Sequence, residues 1–230
     1  MNSNSPTPMT TSRSLRVALA ATMLLVPASY AATLDLGHIF SDTPVPPDLS
    51  GPWLTVATTN LGANQIQVDL TAERLSDPEY VSEWFLNLDP ALNPGDLSVS
   101  ASWLSGAFNV PAAASLLLAA DAYKADGDGK YDIKVIFDSS DGLTTRFTDG
   151  DALRLTLTYT GVGSFNESSL IFPSAPDGGA GPFLAAAHIN ATGPGDTGSV
   201  WVAAVPEPSV ATSLLLAGGA LLALRRRRVR

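Results

Sequence analysis

Apolar and polar residues alternate in short runs along the middle of the chain, and a period of two predicts β-strands. In residues 65–70 (QIQVDL), Ile66, Val68 and Leu70 share one face. In 152–159 (ALRLTLTY), Leu153, Leu155, Leu157 and Tyr159 face one way, and Arg154, Thr156 and Thr158 the other. Residues 97–104 (LSVSASWL) alternate again, and 131–137 (YDIKVIF) is a clear strand pattern. The run 53–59 (WLTVATT) is rich in β-formers, 81–88 (VSEWFLNL) is apolar enough for a central strand, and 183–189 and 199–202 add late strands. Turn residues separate them: Asn60-Leu61-Gly62, Asn93-Pro94-Gly95, Asp141-Gly142, Asp149-Gly150 and Pro176-Asp177-Gly178-Gly179. About eight or nine strands so punctuated predict an all-β fold, a single jelly-roll-like β-sandwich domain. Two stretches leave room for helix. Residues 71–80 suit a short turn around Pro78, and 112–120, an Ala/Leu run, fits either a helix or a buried strand.

The two longest apolar runs lie outside this pattern, at the chain ends. Arg13 and Arg16 precede the apolar run 17–26 (VALAATMLLV), Pro27 ends it, and Ser29-Tyr30-Ala31 supplies small residues for a cut after Ala31. This is the three-part form of a secretory signal peptide, assigned to 1–31, and it implies export through signal peptidase. At the other end, residues 205–209 (VPEPS) precede an uncharged segment, 210–224 (VATSLLLAGGALLAL), and a basic tail, 225–230. As a helix that segment would cover only ~23 Å, short of a hydrocarbon core of ~30 Å, so it would span by thinning the bilayer or by snorkelling of its flanks. Arg225, Arg226, Arg227 and Arg228 would hold its far end in the cytoplasm and leave the body outside. Pro206 and Pro208 bracket Glu207 and keep the backbone extended, a form suited to recognition by a protease that binds extended peptides.

Residues 205–230 resemble a PEP-CTERM sorting signal, the tail recognised by exosortase. The resemblance rests on Pro206-Glu207-Pro208, the short apolar helix with Gly218-Gly219, and the terminal arginines. It implies an exopolysaccharide-producing Gram-negative host. It also implies transient residence in the inner membrane, cleavage near Pro206–Pro208, and delivery of the body, 32–204, to the cell surface or extracellular matrix.

Charge sharpens the picture once the ends are set aside. The whole chain carries 13 Lys+Arg against 22 Asp+Glu, a net charge of −9. The body holds six of the bases and 21 of the acids, which leaves −15. Such a surface excludes nucleic-acid binding, which needs clustered bases. The chain has no cysteine and two histidines, so thiolate chemistry, disulfides, and cysteine- or histidine-rich metal sites are excluded.

The best local motif for chemistry is Asp126-Gly127-Asp128-Gly129-Lys130-Tyr131-Asp132. Alternate carboxylates with a turning glycine suit Ca²⁺, and Asp126, Asp128 and Asp132 are the candidate ligands. The motif is similar to the Asp-x-Asp-x-Asp-Gly-x-x-Asp loops of some extracellular repeats, except that Lys124 stands where the first Asp belongs. The plainer reading is an Asp-Gly hairpin turn, with no cofactor. Asp138, Asp141, Asp149 and Asp151 read as solvated turn residues or a shared cation site. Glu73, Glu79, Glu83 and Glu167 offer no fixed pair for glycoside hydrolysis. His38 and His188 have no Gly-x-Ser-x-Gly nucleophile elbow to serve. Trp53, Trp84, Trp103 and Trp201 are spread over four strands, so core packing is their default and a sugar platform the alternative. The expected function is a non-enzymatic surface or matrix protein, sorted by exosortase and associated with exopolysaccharide or biofilm. A carbohydrate-binding module, possibly Ca²⁺-assisted, and a secreted glycosidase or other hydrolase are the alternatives.

Overall fold

The computed structural model describes residues 31–41, 45–105, 115–126, 129–140 and 145–206. Among these, eleven strands run in chain order: β1 (Ala31–Leu36), β2 (His38–Ile39), β3 (Leu54–Gly62), β4 (Gln65–Ala72), β5 (Tyr80–Leu86), β6 (Leu97–Ser105), β7 (Ser115–Lys124), β8 (Lys130–Ile136), β9 (Ala152–Tyr159), β10 (Ala185–Thr192) and β11 (Gly198–Ala204). They form two antiparallel sheets, ordered β1-β3-β4-β9-β6 and β2-β11-β10-β5-β8-β7. Helical structure among the described residues is confined to two short 3₁₀ turns, Pro94–Asp96 and Glu167–Leu170. The all-β expectation is met.

The alternation explains the packing. Ile66, Val68 and Leu70 of β4, with Leu153, Leu155 and Leu157 of β9, point from the five-stranded sheet into one core. Trp84 and Leu86 of β5, Ile133 and Val135 of β8, and Val200 and Val202 of β11 meet them from the six-stranded sheet. Burying each such side chain contributes about 1.5–3 kcal/mol before the entropy of ordering is subtracted. Strand β5 breaks the period. Glu83 pairs with His188 and Val81 with Ile189, so Ser82 is an extra residue. This bulge lets Val81 and Trp84, three apart, both reach the core.

Two local expectations are corrected. Residues 71–80 form no helix: Thr71 and Ala72 end β4, Tyr80 begins β5, and turns lie between. Glu79 holds that segment, its carboxylate accepting from the N–H of Asp48 (2.9 Å) and of Ser76 (2.8 Å). Within 112–120, the described residues 115–120 lie in β7, an edge strand with half-exposed leucines and not a buried one. An Ala/Leu run has no polar side, so its periodicity carries no information about the face it buries.

Apart from the β1–β2 step, where His38 follows the finish of β1 and pairs with Ala203 near the finish of β11, the strand directions sort the connections to two ends. Ala31 pairs with Thr59 beside the β3–β4 turn, and Ala204 pairs with Ala185 at the finish of the long β9–β10 loop. The chain thus enters and leaves at one end, called here the exit end. That end also carries the β5–β6 loop and the β7–β8 turn. The opposite, distal end carries residues 48–53, 73–79, 145–150 and the β10–β11 turn.

Candidate functional site

Hydrogen bonds between the loops build the exit end. Asn64, in the β3–β4 turn at φ +58°, donates from Nδ2 to the Gly163 carbonyl and accepts from the Phe165 N–H at Oδ1. The Asp89 N–H donates to the Ser169 carbonyl, and the Asn93 N–H to the Tyr159 hydroxyl. Lys130 and Ala175 exchange two backbone hydrogen bonds, of 2.8 and 2.9 Å. Three clefts lie here or along the adjoining strand β1. One of about 500 Å³ runs between Ala32–Asp35 and Ala204–Pro206. A second, about 350 Å³, is lined by Leu88, Asp89, Asp121, Asp132, Phe172 and several prolines. A third, about 130 Å³, sits in the glycine-rich stretch 177–182.

Of the expected Ca²⁺ ligands, Asp126 sits exposed in the β7–β8 turn at φ +44°, and Asp128 lies outside the described residues. Asp132 is buried in β8. Its Oδ2 accepts the Leu88 N–H and its Oδ1 the Asp121 N–H, both at 2.8 Å. Burial pushes its carboxyl above the ordinary range, against the pull of those two hydrogen bonds. Asp132 therefore ties the β5–β6 loop to the irregular middle of β7. Lys124 and Lys130 flank the turn, and both pair with Asp177, at 3.1 and 3.9 Å. Among the described residues no group of three or more His, Asp or Glu is placed to hold a metal.

The described members of the second acidic group each serve a separate turn. Asp138 accepts from the Ser140 N–H, Asp149 from the Leu75 N–H, and Asp151 from the N–H and hydroxyl of Thr148. Each closes or braces a distal turn; Asp141 lies outside the described residues. The glutamates are also engaged. Glu83 pairs with Lys134 at 2.7 Å, Glu73 accepts from Thr55, and Glu167 from Asn60. None of them lines the three clefts.

His188 projects from the outer face of β10. Its ring stacks on Trp201 (4.5 Å, 11°), and its Nδ1 is 3.2 Å from the Ser82 hydroxyl. Ser82 also accepts from Asn190. Burial lowers the imidazole's pKa, so the neutral ring is the form present near pH 7. Glu83, the adjacent carboxylate, is committed to Lys134. The cluster is therefore a packed hydrogen-bonded group without the acid–histidine geometry of a triad. His38 tilts against Phe183. Trp53 and Trp84 are buried, Trp103 packs on Phe137 and Phe147, and Trp201 alone of the four turns to the outer face. They form no aromatic row.

Sequence reasoning missed the pairing of His188 with Trp201, which are cross-strand partners in the β10–β11 hairpin. The hairpin's register was the signal that would have found it. Ala31 is the first residue of β1 and Pro206 the last described residue of the tail motif. Glu207, Pro208 and Arg225–Arg228 lie outside the described residues, as do the expected signal and transmembrane helices. Among the described residues no helix is long and apolar enough to cross a membrane. Comparisons of the chain with protein-family models, curated proteins and solved structures return no match in any of the three.

Proposed function

We propose that this chain is the precursor of an exported, non-enzymatic surface or extracellular-matrix protein, sorted by exosortase and associated with exopolysaccharide. The observation that carries this reading is the ordered set Pro206-Glu207-Pro208, apolar 210–224 and Arg225–Arg228, paired with the leader at 1–31. Supporting it, the strands run from Ala31 to Ala204, close to the limits that the two signals set for the body. Only three connections are hairpins within a sheet, β3–β4, β7–β8 and β10–β11, while the others cross between sheets. That favours the jelly-roll-like form of the sandwich. Glu79, Asp132, Asp149, Asp151 and His188 are held in structural hydrogen bonds, which suits a domain that binds or coats more than one that catalyses.

The test is the mass of the protein recovered from cells with and without exosortase. The sorting reading expects a C-terminus near Pro206–Pro208 when the enzyme is present and retained arginines when it is absent. Arginines retained in both cells would overturn it.

A further inference from the structure

We infer that the exit end of the sandwich is held face-on against the lipid surface for as long as residues 210–224 remain attached; this rests on the reading of those residues as a membrane segment. The first observation is the shortness of the tether. Strand β11 ends at Ala204, whose carbonyl still accepts the Leu184 N–H. Past Ala203, which pairs with His38, Ala204–Pro206 line one groove together with Ala32–Asp35. From Pro206 to Val210 are four residue steps, at most ~14 Å of fully extended chain. A body so tethered has the exit end as its nearest surface to the bilayer.

The second observation is what that end exposes. Val162 is 95% exposed, Leu61 47% and Val205 43%. Leu61 lies at the finish of β3, beside the turn that Asn64 ties to the loop holding Val162. Three of the six exposed large hydrophobics among the described residues thus stand where the chain leaves for its apolar segment. Bases at this end are Lys124 and Lys130, both paired with Asp177, while Asp89, Asp96, Asp126 and Glu167 are acidic. Contact with lipid is therefore enforced by the tether and assisted by apolar tips, with no basic patch to attract anionic headgroups. Two of the clefts are built from loops of this end, residues 87–92 and 172–182, so they lie toward the membrane in the precursor and become accessible on cleavage near Pro206–Pro208.

The absence of cysteine makes the test clean. Single substitutions Leu61→Cys, Val162→Cys, Leu49→Cys and Ser213→Cys are placed in the full-length chain. Each is labelled with an environment-sensitive fluorophore in phosphatidylethanolamine–phosphatidylglycerol vesicles carrying headgroup- or chain-quencher lipids. Leu49, 48% exposed at the distal end, is the matched control. Quenching at positions 61 and 162 severalfold above that at 49, with deep quenching at 213, is the expected result. Quenching at 213 with positions 61 and 162 no different from 49 would overturn the apposition and leave the membrane segment standing. No quenching at 213 would overturn both.

Discussion

Replacing Asp132 by alanine tests whether this buried carboxylate is a structural brace. Both oxygens are in use: Oδ2 accepts the Leu88 N–H and Oδ1 the Asp121 N–H, each at 2.8 Å. The residue is 8% exposed, so water is a poor substitute for the lost acceptor. Hydrogen bonds to a charged acceptor are worth about 1.5–3 kcal/mol each, and stranding two backbone donors makes about 4 kcal/mol a central expectation for Asp132→Ala. For a domain of this size that is a drop in Tm of about 8–16 °C. Asp132→Asn keeps one acceptor and turns an amide NH₂ toward the other donor, so its loss is expected at about half as much. The pH dependence carries its own sign. The folded-state pKa of Asp132 is raised by burial. The folded chain thus holds this proton more tightly than the unfolded chain, and the contribution is full below the unfolded value of about 3.9. It is lost as pH rises through the folded value. Urea midpoints measured between pH 3.5 and 7 therefore show the stability difference between wild type and Asp132→Asn widening on acidification. An alanine variant within 1 °C of wild type, or a difference that narrows as pH falls, would refute the reasoning. Calcium separates the alternative role: a brace leaves the wild-type Tm unmoved by millimolar Ca²⁺, whereas a ligand at Asp132 raises it.

Three further outcomes follow from single residues. A Cβ at Gly129 would collide with the backbone carbonyl of Ala175 and crowd the Ser174 hydroxyl. Gly129→Ala is therefore expected to cost about 2–3 kcal/mol by breaking the two Lys130–Ala175 hydrogen bonds, read as a lower denaturant midpoint at unchanged m-value. The Thr192 hydroxyl is fully buried with no partner among the described residues, so Thr192→Val, nearly the same shape, is expected to stabilise by about 1 kcal/mol in thermal melts. The His188 ring should titrate by NMR with a midpoint below its ordinary 6.5. Because the unfolded chain takes that proton first, its contribution to stability is present above pH 6.5 and is lost as pH falls through the folded value. A midpoint at or above 6.5 would show that the Trp201 stack does not desolvate it.

The sequence by itself determined the sheet class. Strands with one buried face must alternate, and β4 throughout and β9 from Leu153 onward do so, so their faces were legible residue by residue. The strings at the two ends on which the proposed export and sorting rest are also local and need no fold to be read. Tertiary structure decided everything that depends on partners distant in the chain. Strand β1 was not legible in the sequence, because its place in a sheet is set by β3, whose partners lie 18 to 28 residues later. The bulge at Ser82 could not be read locally, because a bulge is a mismatch between two strands and β5 shows only one of them. The acidic motif at 126–132 has the composition of a cation loop. What Asp132 holds in the folded chain is nevertheless the N–H of Leu88, 44 residues away, which donates to one carboxylate oxygen. A carboxylate's residue type specifies that it accepts. Which donor reaches it first is a property of the packed loops, and only the fold brings those together.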